Sequence, residues 1–533
     1  MVTRRSPGPA PGGSLTGDVI AGIGLAGPVV VAIIAFALAW PTLMPGVGFW
    51  DTAEFQAVPP LLGTLHPPGF PAYTILGWIG SALLQSVGAP AYRMNLLSAV
   101  YVAGAAAVTV VLVRQLTGRV VIGIAAGLVL FLSPIAWRIA THADAHALHV
   151  LVLAIVFALL LAWESRVRAA DGPRPGADRW LLAAAAAYGV AMANHTVALL
   201  AAPGIGLFVL SVEPEIFSRR SLIWRCVGVG VGVAALLYLE LPLRAGPFRA
   251  PLVYGHPETP IGFAYVVFGA QFRGDLASPL GSLGPRLGGL ADFAAAQLGA
   301  LAVLVPFAAT GVVIRRWRYA LLTVPTLLIT CSFAVIYDNA EITRYYLGPL
   351  LIVVTWLALL ADGLLELAAG LVARIRGRFS GLRSRPSIGV LALELVVAVA
   401  LLLPAGLAAQ ATRLEVDESQ DVSAPQWVDR TFATLPPNAV VISWWSFSTP
   451  LWYGRDVEGR RPDIAIFDDR TILDENLGGV TDVIDQYLGQ RPVYVIRLPA
   501  DMDILARRYE LLPVPDLSPA NLALVVGRRA GVP

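Results

Sequence analysis

Long apolar runs dominate the first four-fifths of the chain, separated by short polar segments. Eleven of them read as membrane spans: 20–41, 95–113, 119–137, 145–163, 180–193, 196–211, 223–243, 291–313, 319–337, 345–367 and 387–410. Nothing alternates apolar and polar over about ten residues, as the strands of an outer-membrane barrel do. After residue 411 the pattern changes. LPPNAVVIS, DIAIFD, PVYVIRL and LALVVG are short β-rich runs between turn-rich or helical stretches, which predicts a soluble α/β domain over 411–533. The expected architecture is an all-α polytopic bundle of about 11 transmembrane helices over 20–410, followed by that domain.

Arginine assigns the sides of the bilayer. Arg4/Arg5, Arg114/Arg119, Arg166–Arg179, Arg219–Arg225, Arg315–Arg318 and Arg374–Arg385 fall at alternate ends of successive spans. Positive residues stay cytoplasmic, so these loops and the tail 1–19 are expected inside, and the C-terminal domain outside the inner membrane. The apolar stretch from Pro71 to Val87 would invert every later cluster if it crossed. It is therefore expected to lie along the outer interface. The first span reads as uncleaved, because no small-residue cleavage site closes it.

Composition agrees with the pattern. Of 533 residues, 56% are hydrophobic and 14% charged, far below the roughly 25% charge of soluble domains. The net charge of +2 says little about partners; the bilayer is expected among them and nucleic acid is not. All basic residues are arginine, and the two cysteines, Cys226 and Cys331, fall in apolar runs, which excludes a disulfide framework.

Candidate chemistry gathers on the outer side. All six histidines (His66, His142, His146, His149, His195 and His256) fall there, with Asp51, Glu54 and Asp144. Polar groups at membrane depth face a cavity or a partner, so one outward site is expected. Asp51 and Glu54, three apart in the first outer loop (42–94), share a helix face. Such a pair suits a general base acting on a hydroxyl, or a divalent cation held between carboxylates; solvated acids on a capped helix fit the spacing too. His142, His146 and His149 with Asp144 fit a transition-metal site or, equally in pattern, the polar lining of a wet cavity. The Gly-rich run 227–233 reads as helix packing and Glu394 as a contact between helices.

The order D-x-x-E-F at Asp51, H-P-P-G-F-P-x-Y-T at His66 and R-x-N-L-L-S at Arg93–Ser98 resembles the polytopic GT-C glycosyltransferases. It is most similar to the protein O-mannosyltransferase-like family of the transmembrane protein 260 type. Further pieces follow in order: Trp137 to Asp144 and Leu148, Asn194-His195, Leu241-Pro242 with Arg244, Tyr254-Gly255 through Gln271, and the runs LPPNA and PLWY. Asp144 stands where the family has glutamate, His146 where it has tyrosine, and Glu240 at an aromatic position, which puts the acceptor geometry in question.

The resemblance implies an inverting transfer of a hexose, mannose foremost, from a polyprenyl-phosphate donor to an extracytoplasmic hydroxyl on protein, lipid or glycan. Asp51 would be the base, with Glu54 beside it. His66, Arg93, Asn95, Asp144, Asn194, His195, Gln271 and Tyr345 would shape the donor and acceptor cavity. Arginine matches phosphate with a planar fork, and Arg244, Arg344 and Arg138 are the expected phosphate ligands. Apart from a divalent cation, no cofactor is suggested. The rival reading is a transporter or lipid flippase using the same polar cluster.

Overall fold

The computed structural model describes residues 15–169, 175–276, 283–378, 386–515 and 517–529. Arg4/Arg5, part of the loop 166–179 and the end of the run 374–385 lie outside the described residues. The chain opens with helices Leu15–Ala39 (α1), Trp50–Leu61 (α2), Pro71–Leu83 (α3), Pro90–Thr117 (α4), Val120–Leu132 (α5), Pro134–Thr141 (α6), Ala145–Ala169 (α7) and Pro175–Asn194 (α8). Proline starts α3, α4 and α6, where its missing N–H costs nothing and its fixed φ suits the first turn. Gly118, at φ +76°, ends α4.

Every expected span coincides with a helical stretch. Among the described residues seven helices are long and apolar enough to cross a membrane, and eight if α5 and α6, bent by 64°, form one broken span. Ala26–Thr42 and Thr196–Val212 are shorter apolar helices. The bend falls at Pro134, which cannot donate the backbone bond that would join α5 to α6. The chain is thus a multi-pass membrane protein. α3 has 13 residues, about 20 Å of helix, too short for a hydrocarbon core of about 30 Å. It exposes Leu76, Trp78, Ile79 and Leu83 and buries Tyr73, Thr74, Gly77 and Ser81, as an interfacial helix would. Of the glycine run only Gly230 packs closely: a Cβ on Gly189 of α8 would sit 2.4 Å from its carbonyl, so the two helices touch backbone to backbone there, while Gly228 and Gly232 meet nothing within 4 Å.

The last apolar helix runs on to Val416, past the expected boundary at 411. Beyond it, five strands order as β2-β1-β3-β5-β4: Val440–Ser443 (β1), Ala465–Asp468 (β2), Val493–Ile496 (β3), Tyr509–Val514 (β4) and Leu522–Arg528 (β5). β1 is parallel to both β2 and β3, and β5 is antiparallel to β3 and β4. The carboxyl ends of β1, β2 and β3 therefore share one edge. An apolar core joins this domain to the outer loops, packing Phe55, Phe70 and Tyr73 with Trp427, Leu451 and Trp452. Hydrogen bonds cross the same boundary, among them Thr449 to the Trp50 carbonyl (3.0 Å), the Ala91 N–H to Tyr453 Oη (3.1 Å) and the Gly255 N–H to Asp474 (2.9 Å).

Candidate functional site

A cavity of about 710 Å³ lies between the first outer loop, the 254–272 loop, the segment around Arg344 and the edge of the sheet domain. Its size is that of a ligand pocket. Asp51, His66, His146, His195, Gln271, Arg344 and Tyr345 line it, all but Arg344 and His146 expected as base or cavity residues and Arg344 as a phosphate ligand. Phe55, Phe70, Tyr254, Tyr265, Phe272, Trp444 and Trp445 form aromatic walls, and Val197, Leu200, Phe268 and Phe333 an apolar side.

Asp51 sits in the first turn of α2, just after Trp50, whose φ of +58° is unusual for a side-chain-bearing residue. Its Oδ2 accepts a hydrogen bond from Arg344 Nη2, and Arg344 Nη1 lies 3.6 Å from Asp144 Oδ2. One guanidinium thus bridges two carboxylates from distant parts of the chain. Burial alone would raise the Asp51 pKa, but Arg344, helped by His66, outweighs it and holds the carboxyl below its ordinary range. Burial likewise works to raise Asp144, and His146 followed by Arg344 pulls it well below that range. Asp144 Oδ1 accepts from the His146 N–H (2.6 Å) and lies 2.9 Å from His146 Nδ1.

Glu54, one helical turn on, is buried and turned away from this cavity. Its Oε1 accepts the His66 backbone N–H (3.0 Å), and its Oε2 is hydrogen-bonded to His66 Nδ1. Burial would lower the His66 pKa, yet Glu54 outweighs it and leaves the imidazole raised. Gly69, at φ +89°, supplies the left-handed turn that returns the His66 loop into α3. Glu54 borders a second, smaller polar cavity of about 160 Å³, shared by Tyr254 and Arg470.

Other expected site residues turn out to hold the scaffold. Asn95 is fully buried away from the cavity: its Nδ2 donates to the Met44 carbonyl (2.9 Å), and its Oδ1 accepts from Gln56 Nε2 (2.8 Å) and the Ala143 N–H (2.9 Å). It fixes both the helix of Asp51 and the loop of Asp144. Arg93 donates to the carbonyls of Ser81, Gln85 and Gly88 and closes the end of α3. Asn194 donates to the Ala145 carbonyl (3.0 Å). Two expected phosphate ligands are also committed elsewhere. Arg244 donates to the carbonyls of Leu62 (2.6 Å) and Leu61 (3.2 Å), capping α2, while Arg138 pairs with Glu415 at the surface (2.5 Å). Glu240, one turn before Arg244, carries no hydrogen bond on either carboxylate oxygen, because Arg244 reaches the other way.

The metal candidates separate. His142 pairs with Glu418 (3.0 Å), His146 with Asp144, and His149 and His195 approach only ring to ring, 6.4 Å between centroids. Among the described residues no group of three or more His, Cys, Asp or Glu side chains is placed to hold a metal ion. Nor do Asp51 and Glu54 converge on one point, since Arg344 takes the first and His66 the second.

Trp444, Trp445, Asp469 and Arg470 were not anticipated from sequence. They directly follow β1 and β2, at the carboxyl edge of the parallel strands, where α/β sheets commonly bind ligands. That rule, applied to the strands VVIS and AIFD, is the signal that was there to be read.

Residues 51–216 match the family model described as the protein O-mannosyl-transferase TMEM260 N-terminal domain. The protein O-mannosyl-transferase TMEM260 of Mus musculus is 28% identical over 278 residues, 50% of this chain and 35% of the mouse protein. The Dictyostelium discoideum protein of that name is 24% identical over 230 residues, 42% of this chain and 28% of its own length. The chain spans about a third or less of the curated relatives it matches. Among solved structures, ArnT from Cupriavidus metallidurans bound to undecaprenyl phosphate has a TM-score of 0.56 at 15% identity, covering 96% of this chain and 98% of ArnT. The oligosaccharyltransferase AglB from Archaeoglobus fulgidus, in complex with an inhibitory peptide and a dolichol-phosphate, scores 0.51 at 13% identity, over 96% and 75%. The family resemblance drawn from the sequence is borne out, and the GT-C fold it implied is the fold of this chain.

Proposed function

We propose that the chain is a membrane glycosyltransferase that moves a hexose, mannose foremost, from a polyprenyl-phosphate donor to an acceptor hydroxyl. The observation that carries this reading is a partly buried carboxylate, Asp51, held ionised by Arg344 on the wall of a ligand-sized, aromatic-lined cavity. Similarity to the TMEM260 mannosyltransferases and to polyprenyl-phosphate-bound folds supplies the reaction class.

In this reading the acceptor hydroxyl lies against Asp51. Its oxygen attacks the anomeric carbon as the bond to the phosphate oxygen breaks, and Asp51 takes the hydroxyl proton. Attack opposite the leaving group inverts the anomeric centre. A carboxylate with a lowered pKa is a weak base but stays deprotonated at neutral pH; the hydroxyl becomes acidic as its oxygen bonds to carbon, so a weak base suffices. Tyr254, Tyr265, Trp444 and Trp445 offer faces to sugar rings, and the apolar side near Val197, Leu200 and Phe333 suits the first isoprene units. The site and the C-terminal domain face outward in the inner membrane, with the N-terminus inside, as the arginine pattern requires.

The test is transfer of label from radiolabelled polyprenyl-phosphate mannose, with host membrane proteins, lipids and glycans as acceptors. Labelled acceptor dependent on this chain is the expected result. An absence of transfer with mannose and with other carrier-linked hexoses would contradict the reading.

A further inference from the structure

The donor needs a cation for its phosphate, and the membrane half offers a poor one. Arg344 and Arg470 are the two arginines among the described residues lining the main cavity. Arg344 already bridges two carboxylates, Asp51 and Asp144. Arg470, from the C-terminal domain, has one carboxylate partner, Asp474, at 2.7 Å. Asp474 also accepts the Gly255 N–H. Of the other nearby acids, Asp469 is matched by Arg497 at 2.7 Å, and buried Asp468 accepts from the Thr471 N–H (2.8 Å) through Oδ1 while its Oδ2 has no hydrogen-bond partner.

Arg470 is more than nine-tenths buried, and its setting is built. Nη1 donates to Tyr265 Oη (2.8 Å), and the guanidinium lies 4.2 Å from the Tyr254 ring centroid and 4.9 Å from that of Tyr265. Aromatic faces hold a guanidinium in place without consuming its donors. Its Nε–H meets no acceptor in the protein. The same is true of the indole N–H of Trp445, a cavity-lining residue at the end of the neighbouring strand β1. Buried donors are normally satisfied; the Arg344 Nε–H on the same wall also lacks an acceptor, and a cavity with three such donors calls for an acceptor-rich ligand, two of the three being supplied from the sheet domain by Arg470 and Trp445. Both follow the carboxyl ends of adjacent parallel strands, the edge at which α/β sheets bind ligands.

We infer that Arg470 and Trp445 form the subsite for the donor phosphate, so that the C-terminal domain completes the donor site. The inference rests on the proposed function. Arg470 gives the phosphate oxygens a charge-assisted bond, and Trp445 a neutral one. Arg344 is then left to hold Asp51.

The test measures binding of undecaprenyl phosphate and of undecaprenol, the same lipid without phosphate, to the full chain in nanodiscs. Wild type is expected to prefer the phosphate lipid. Arg470→Gln is expected to weaken its binding about 10- to 100-fold while leaving undecaprenol unchanged, Arg470→Lys to weaken it less, and Trp445→Phe about 3- to 10-fold. Unchanged phosphate-lipid affinity in Arg470→Gln and Trp445→Phe would overturn the inference and leave the proposed function standing. So would a raised KM for acceptor with an unchanged KM for donor. Wild type showing no preference for the phosphate lipid would overturn the inference together with the donor assignment. Should Arg470→Gln fail to fold, Trp445→Phe, which keeps the ring and removes one N–H, decides the matter alone.

Discussion

Two charge clusters sit at opposite ends of the helix bundle, and only one of them faces a cavity. At the outer end, Arg344 bridges Asp51 and Asp144, and Glu54 holds His66. About 25 Å further along the helix that follows Arg344, Asp362 takes Arg119 (3.3 Å) and Arg315 (3.0 Å). Glu366 adds a second contact to Arg315 (2.9 Å), and Glu394 lies 3.8 Å from Arg119. Asp144 and Asp362 are equally buried, each side chain 4% exposed, and each takes an arginine. The Asp362 cluster ties four helices together and borders none of the cavities described, whereas the Asp51 cluster presents a carboxylate and two imidazoles to a cavity of about 710 Å³. Buried charge by itself marks structure; buried charge on a cavity wall marks chemistry.

Substitutions can break or sharpen that contrast. The largest effect is expected from Asp51→Asn, which keeps the shape and removes the proposed base: transfer should fall about 10²- to 10⁴-fold with donor binding retained, measured by labelling and by undecaprenyl phosphate binding. Glu54→Ala leaves the raised His66 buried without its anion and should cost about 3–5 kcal/mol, read by denaturation in detergent. The His66 pKa is raised above 6.5, so that pair contributes fully below pH 6.5 and fades as pH rises through the higher folded value. The wild type should therefore lose this increment on the alkaline side, and Glu54→Ala should not.

Arg344→Gln removes the charge that outweighs burial at Asp51. The acid limb of the pH–rate profile should then move up, because the depressed carboxyl rises once burial acts without that charge. In the wild type that limb lies below the ordinary value of 3.8, so activity holds as pH falls until the native fold itself fails. The smallest effect is expected at the surface: Arg138→Gln breaks the half-exposed pair with Glu415, shifts stability by no more than about 1 kcal/mol and leaves transfer unchanged.

The fold was legible because hydropathy is a local property. A run of apolar residues declares a helix wherever it packs, and α3 betrayed itself through the arginine parity it would have broken. Strands β1, β2, β3 and β5 were visible as β-branched runs; β4, Tyr509–Val514, was missed, since Pro513 and the charged Glu510 read as a turn. Asp51, His66, His195 and Gln271 were named as site candidates because they stand in ordered motifs, Arg344 and Tyr345 because they open a span beside a polar outer turn. The same motifs name Arg93, Asn95 and Arg244, which clamp backbone carbonyls. A motif cannot separate a ligand from a clamp when the partner is a main-chain oxygen far away in sequence. Arg470 and Trp445 sit in no motif; what marks them is their place just past the carboxyl ends of β2 and β1, which matters only once those strands are known to be parallel neighbours.

The central claim is that cavity exposure separates the two clusters by function. It is tested most directly by assaying Asp51→Asn and Asp362→Asn side by side for transfer from labelled polyprenyl-phosphate mannose, at equal amounts of folded protein. The account predicts that Asp51→Asn abolishes labelling while Asp362→Asn retains the wild-type rate per folded molecule and loses only stability. Equal loss in both, or labelling that survives Asp51→Asn, would contradict it.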